Sequence, residues 1–407
     1  MNRRHRDPND KAQAARLNPT PSPVKFICAP DKFKGSLSAR EAAHAMARGI
    51  RQVDPDADVD LCPIADGGEG TVEALVAATG GQERLTRVCG PLGDPVEAGW
   101  GLLGRRDDAP LTAVVEMAAA SGLGLVPQDR QDPTRTTTLG TGELIRAALD
   151  AGARRVIVGI GGSATNDGGC GMAQALGVRF LRPDGSVLGD QWVKASELEH
   201  VGRIDMSGLD PRIAQAQFVV ASDVTNPLTG PEGASHVYGP QKGATAAQVR
   251  QLDRQLEHLA HLVRTQLHRD IRTLAGSGAA GGLGGGLVAF LGAELAPGAQ
   301  LVLEAVRFDS RVLGRDLCLT GEGKLDAQSL SGKAVMAVVE AAKKAGVRTC
   351  ALVGATTGDA RRALDAGLGE IRVIGEDVSQ SESMRNAAPL LEEATARLLR
   401  DIREQAP

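Results

Sequence analysis

Five short stretches of this chain mix glycine, hydroxyl residues and carboxylates, the first and last with lysine as well: PDKFKGS at 30–36, ADGGEGT at 65–71, GGSATNDGGCG at 161–171, DVTNPLTGPEGA at 223–234 and GEGKLDAQSLSGK at 321–333. Such mixtures suit the handling of phosphate. Glycine exposes backbone N–H groups to phosphate oxygens, carboxylates hold a divalent cation, and lysine offsets charge during transfer. In the first stretch Asp31, Lys32, Lys34 and Ser36 are candidates to meet phosphate or an anionic substrate, against the plainer reading of a solvated turn. Asp66 and Glu69 suit Mg²⁺ or a base, against a glycine turn in which Glu69 favours the start of a helix. Gly161, Gly162, Ser163, Asn166 and Asp167 read as a helix N-terminus that receives an anion, or as ordinary caps. Asp223 and Asn226 are either substrate contacts or an Asx turn before Pro227. The densest cluster holds Gly321, Glu322, Asp326, Gln328, Ser329 and Lys333, a more regular mixture than a flexible loop would carry.

Familiar nucleotide motifs do not explain these stretches. VIVGIGGSA has the GxGxxA form, but no acidic strand end follows about 20 residues later as a dinucleotide site requires. A P-loop is excluded, because Ala327 stands where its first glycine belongs and Ala334 follows Lys333. The lysine, HRD and DFG set of protein kinases is absent. Phosphoryl transfer nevertheless fits best, since it needs a cation, a phosphate cradle, a cationic clamp and a carboxylate for the hydroxyl proton. All four are present.

Each stretch follows an apolar run, namely VKFICA, VDLCPI, RRVIVGI, QFVVAS and DLCLT, which are strand candidates. In open α/β sheets ligands bind beyond the carboxyl ends of strands, where these stretches fall. Strands alternate with helix candidates such as SAREAAHAMARGIRQV and SGKAVMAVVEAAKKAG at both ends of the chain. That alternation predicts a parallel sheet shared by the two ends. Between them RLTRVCG, EAGWGLL and TAVVEM follow one another without helices, which predicts a mixed sheet in an inserted domain. The expected division is a mobile tail over 1–23, one discontinuous domain over 24–85 and 286–407, and an inserted α/β domain over 86–285.

Composition narrows the field. A formal charge of −4 with one Tyr, two Trp and six Phe lacks the basic face and stacking platforms of nucleic-acid binders. No run approaches the ~20 apolar residues of a membrane span. The six cysteines have no CxxC spacing and read as buried small hydrophobes in a reducing cytoplasm. His258, His261 and His268 lie on a polar helix without partner ligands, so a solvated face is favoured over zinc. The N-terminal segment has no apolar region of the kind a secretory signal needs.

Six segments in order, PDKFKGSLSAREAA, CPIADGGEGTVEAL, VGIGGSATNDGGCGMAQALG, SDVTNPLTGPEGAS, GAAGGLGGGL and LTGEGKLDAQSLSGKAV, resemble the type-1 glycerate kinase family. The resemblance spans about residues 24 to 400. It implies an ATP-dependent, Mg²⁺-requiring kinase that phosphorylates D-glycerate to 2-phosphoglycerate. It also implies a flavodoxin-like domain from both chain ends, an inserted mixed-sheet domain, and an active site in the cleft between them. Lys32 stands where relatives often carry Ser.

Under that resemblance Asp167, Asp223 and Asp326 are the candidate bases and Lys34 the catalytic cation. Asp66, Glu69 and Glu322 are the candidate metal ligands, and the remaining residues named above would bind substrate or phosphate. A 3-phosphoglycerate product and a different small hydroxy acid stay open, as does a homo-oligomer. A metabolite-binding regulator without catalysis would be expected to lose these acidic residues, and a dehydrogenase would need the missing ribose-binding acid.

Overall fold

The structure is a computed structural model that describes residues 23–105, 109–189, 191–326, 334–357 and 360–405. In chain order its strands are β1 (Lys25–Pro30), β2 (Asp58–Leu61), β3 (Gln82–Cys89), β4 (Pro95–Leu102), β5 (Thr112–Glu116), β6 (Arg155–Gly159) and β7 (Arg179–Leu181). They continue as β8 (Arg203–Asp205), β9 (Gln217–Ala221), β10 (Glu294–Ala296), β11 (Leu317–Glu322), β12 (Thr349–Val353) and β13 (Glu370–Val373). The two chain ends do share one sheet. Its order is β13-β12-β11-β1-β2 with every pair parallel. Numbered within the sheet, that is the flavodoxin-like order 2-1-3-4-5.

The second sheet runs β10-β9-β6-β5-β4-β3. Strands β5, β6, β9 and β10 are parallel, whereas β3 and β4 add antiparallel to the β5 edge. The mixed order therefore follows the helix-free stretch of sequence. Strand β10 pairs with β9, so this sheet draws residues from beyond position 285. A small antiparallel pair, β7-β8, stands apart.

Strand β1 shows why a continuous apolar run forms a central strand. Phe26 and Cys28 enter one buried cluster while Ile27 and Ala29 enter another, so both faces are covered. Helix 39–53 covers the outer face and starts at Ser38, whose side chain and that of Glu41 form a capping box. It packs against helix 387–405 at Gly49, where a Cβ would stand 2.3 Å from the Glu392 carbonyl oxygen. Only glycine allows that approach.

Between the sheets lies a shared core. Ile27 and Cys318 from the parallel sheet, Val114, Ile157 and Val219 from the mixed sheet, and Leu75, Leu301 and Val338 from helices form one buried cluster. Burial of this kind contributes roughly 1.5–3 kcal/mol per large aliphatic side chain, so the sheets are held together by substantial packing. The outer face of the mixed sheet builds a larger cluster under helices 139–150 and 246–267.

Candidate functional site

The carboxyl ends of β1 and β11 adjoin at the point where the strand order of the parallel sheet reverses, and connections leaving in opposite directions open a crevice there. The backbone N–H of Asp31 donates to the Gly321 carbonyl at 2.8 Å, joining the two loops. PDKFKGS folds as a tight turn: Phe33 and Leu37 exchange backbone hydrogen bonds, and Ser36 Oγ donates to the Phe33 carbonyl at 3.0 Å. Gly35 supplies φ +79°. Phe33 is buried and anchors the turn, while Lys34 is exposed and Lys32 partly so. Above this turn opens a cavity of about 1000 Å³ lined by Asp31, Lys32, Lys34, Ser36, Asp66, Glu322 and Asp326, the last paired with Lys324.

A second cavity of about 450 Å³ lies over the ends of β6 and β9, lined by Asp66, Gly161, Ser163, Asp223, Tyr238 and Lys242. Asp66 belongs to both cavities. Close backbone approach brings them together. A Cβ on Gly161 would sit 3.2 Å from Gly68 Cα, and one on Gly159 would sit 2.8 Å from the Gly67 carbonyl oxygen. The glycines of DGGEG and GIGGS thus let a loop from each sheet touch. Asp66 Oδ1 accepts from Gly68 N–H at 3.1 Å, and Asp223 Oδ1 accepts from Gly298 N–H at 2.8 Å, at the start of helix 298–305.

Several predicted residues fall elsewhere. Asp167 is completely buried and lines neither cavity. Its carboxylate accepts from Thr138 N–H (2.9 Å), Thr138 Oγ1 (2.8 Å), Gly169 N–H (3.2 Å) and Gly171 N–H (3.3 Å). Burial raises its pKa, and these four donors work against that rise. The candidate base Asp167 is thus enclosed by four donors and stands away from both cavities, where a carboxylate ties neighbouring segments together. Asn166 is also buried, with its amide on Ser235 Oγ at 3.1 Å. Asn226 bridges the Glu232 carbonyl and the Tyr238 hydroxyl, both at 2.7 Å, and so orients a cavity residue from behind. Gly321 acts through its carbonyl to Asp31. Glu69 is exposed and lends its backbone carbonyl, not its carboxylate, to the Lys32 ammonium. Gln328, Ser329 and Lys333 lie outside the described residues, as do residues 1–22 of the expected tail.

Other residues escaped the sequence reading. Glu116, at the end of β5, accepts from Gly70 N–H (3.2 Å) and Val72 N–H (2.7 Å), so a carboxylate from the mixed sheet holds the first turn of helix 71–79 after DGGEG. Burial raises its pKa, while the two N–H groups and Lys32 oppose the rise. Lys242 is 2% exposed, and its ammonium donates to the Thr165 carbonyl at 2.7 Å. Burial pulls its pKa down to about 7, with the Asp167 charge opposing. The signal for Lys242 was present as a lysine inside GPQKG, between two glycines at 239–243. Burial raises the thiol pKa of each cysteine, most of which are fully enclosed, so none is poised as a nucleophile. Among the described residues no three His, Cys, Asp or Glu side chains group as a metal cage, and no helix is long and apolar enough to cross a membrane.

A flavodoxin-order parallel sheet, a mixed sheet against it, and two cavities joined at a carboxylate define a class: a two-sheet α/β protein with an anion-handling cleft at its strand ends. The chain belongs to the glycerate kinase family, whose family model matches residues 26–403. It is 48% identical to a glycerate kinase of Halalkalibacterium halodurans over 91% of this chain and 96% of that protein. Identity is also 48% to the glycerate 2-kinase of Escherichia coli, over 85% and 89%. A crystal structure described as a "putative glycerate kinase 2" from Salmonella typhimurium LT2 matches with a TM-score of 0.85 at 44% identity, covering 94% of this chain and 99% of that one.

Proposed function

We propose that this protein transfers the terminal phosphoryl group of ATP to D-glycerate, giving 2-phosphoglycerate and ADP. The observation that carries the reading is the pair of unequal cavities sharing Asp66. A nucleotide fills the larger and a three-carbon acid the smaller, so the transferred group crosses at Asp66. Both volumes lie in the ~300–1,000 Å³ range of small-molecule pockets. Relatives named glycerate kinase and glycerate 2-kinase support the substrate and the position phosphorylated. The two sheets are taken as the centres of two domains, divided much as the sequence suggests but with the second junction drawn after β10.

Lys34, exposed on the larger cavity, and Lys32 offset phosphate charge there. Asp66 and Glu322 would hold Mg²⁺, which prefers one or two carboxylates together with phosphate oxygens and water and needs no protein cage. Bound there, the ion would supply positive charge to offset that of the phosphates. Asp223 accepts the proton of the attacking hydroxyl, with its carboxylate oriented by the Gly298 N–H. The Gly161–Ser163 backbone borders the same cavity and supplies close, uncrowded contact for the acid.

The test is ADP release with D-glycerate, ATP and Mg²⁺, followed by phosphorus NMR of the product. Release above the glycerate-free control with a 2-phosphate resonance is expected. No release from folded protein overturns the kinase reading, and a 3-phosphate resonance overturns the position alone.

A further inference from the structure

The smaller cavity contains a cation that the phosphate-handling scheme above does not use. Lys242 follows helix 234–238 in a short turn and is 2% exposed, yet it borders the same space as Asp66, Gly161, Ser163 and Asp223. An ammonium carries three donors. Among the described residues Lys242 Nζ has one hydrogen-bond acceptor, the Thr165 carbonyl at 2.7 Å. A buried charge with unfilled donors is costly unless something pairs with it. Asp167 lies close enough to favour the charged form, but its carboxylate accepts its hydrogen bonds from Thr138, Gly169 and Gly171. The protein therefore keeps a partly satisfied cation at the wall of a cavity sized for a small acid.

We propose that Lys242 binds the carboxylate of the acceptor substrate in the smaller cavity, with the Thr165 carbonyl fixing one N–H and leaving the others to the bound acid. The assignment rests on the kinase reading and divides the labour at the site. Lys32 and Lys34 serve the phosphates of the larger cavity, and Lys242 selects an acid over a neutral polyol in the smaller one. The depressed ammonium pKa agrees with a site whose counter-charge arrives with the ligand.

The test uses the full chain with glycerate and with glyceramide, its uncharged amide, comparing wild type with Lys242→Met and Lys242→Gln. Gln retains a donor for the Thr165 carbonyl and serves if the Met variant loses its fold. Removing one partner of a buried charged hydrogen bond predicts a rise of about 30-fold or more in KM for glycerate. KM for ATP should stay within about threefold, the mark of a contact made to the acid alone. Wild-type preference for glycerate over glyceramide should collapse in the variants. An unchanged glycerate KM, or a uniform fall in kcat with the acid-to-amide preference intact, overturns the assignment and leaves Lys242 as a structural residue. Wild-type protein that releases no ADP with glycerate overturns the kinase reading instead, so the two failures are distinguishable.

Discussion

Strands β6 and β9 run side by side and parallel, and each ends in a loop with an aspartate and a Thr-Asn pair: Thr165, Asn166 and Asp167 after β6, and Asp223, Thr225 and Asn226 after β9. Their fates are opposite. The β6 loop turns inward beneath helices 139–150 and 170–175, where Asp167 is enclosed by four donors. The β9 loop stays at the surface, and Asp223 borders the smaller cavity with one oxygen on the Gly298 N–H. The contrast teaches that a carboxylate's role follows from what surrounds it. Four internal donors make a fastener, whereas exposure at a cavity leaves a carboxylate open to a ligand.

The sharpest attack on this contrast is paired substitution. Asp223→Asn is expected to lower kcat by about 10²- to 10⁴-fold, the usual contribution of a positioned base, with the melting temperature close to wild type. Asp167→Ala should do the reverse, costing about 3–5 kcal/mol by leaving buried donors unsatisfied, with turnover per folded molecule retained. Urea unfolding and active-site titration separate the two quantities. If Asp167→Ala folded normally and lost turnover, the roles would be exchanged.

A second probe uses Lys242, which lies behind the β6 loop. Its folded pKa of about 7 is below the ordinary value of 10.5, so between these pH values the unfolded chain binds more protons than the folded one. Stability from this group therefore rises with pH across that window, and below about pH 7 the burial cost is fully present. The charged groups that bear on it are Asp167 at close range and Asp66, Asp223 and Tyr238 around the cavity. Between pH 7 and 9.5 the wild type should gain ~3 kcal/mol relative to Lys242→Met, measured by urea unfolding at each pH. A parallel pH dependence in both proteins would mean the lysine is not held in an enclosed site.

The smallest expected effect concerns the link between the sheets. Glu116→Gln keeps one acceptor for Gly70 and Val72 but loses the charge, with an expected cost of about 1–2 kcal/mol. Hydrogen exchange should speed up in the first turn of helix 71–79. Exchange unaltered there, with lowered stability elsewhere, would detach Glu116 from the DGGEG loop.

Much of the architecture was legible because local pattern and global fold agree. VKFICA and DLCLT are continuous apolar runs, as strands covered on both faces require, and they became neighbouring β1 and β11. The helix-free run from 82 to 116 gave the antiparallel edge of the mixed sheet. Cavity lining was legible where candidate residues sit near strand ends: Asp31, Lys32, Lys34, Asp66, Asp223 and Glu322 all reach a cavity. Asp167 read the same way but reaches neither cavity, since spacing does not reveal that Thr138, 29 positions earlier, returns to cover it. Glu116 and Lys242 were passed over because a lone Glu at a strand end and a lone Lys in a turn look like surface decoration.

The sequence by itself determined which segments are strands and helices, that both chain ends share a sheet, and that glycine-rich polar loops gather at strand ends. These are consequences of hydrophobic period and of local backbone freedom, which act within a few residues. Only the tertiary structure decided which aspartate faces the cleft, that Asp66 joins the two cavities, and that a lysine is buried beside the smaller one. Those outcomes depend on burial and on donors brought from distant parts of the chain. Both are properties of the packed molecule, and no stretch of residues carries them alone.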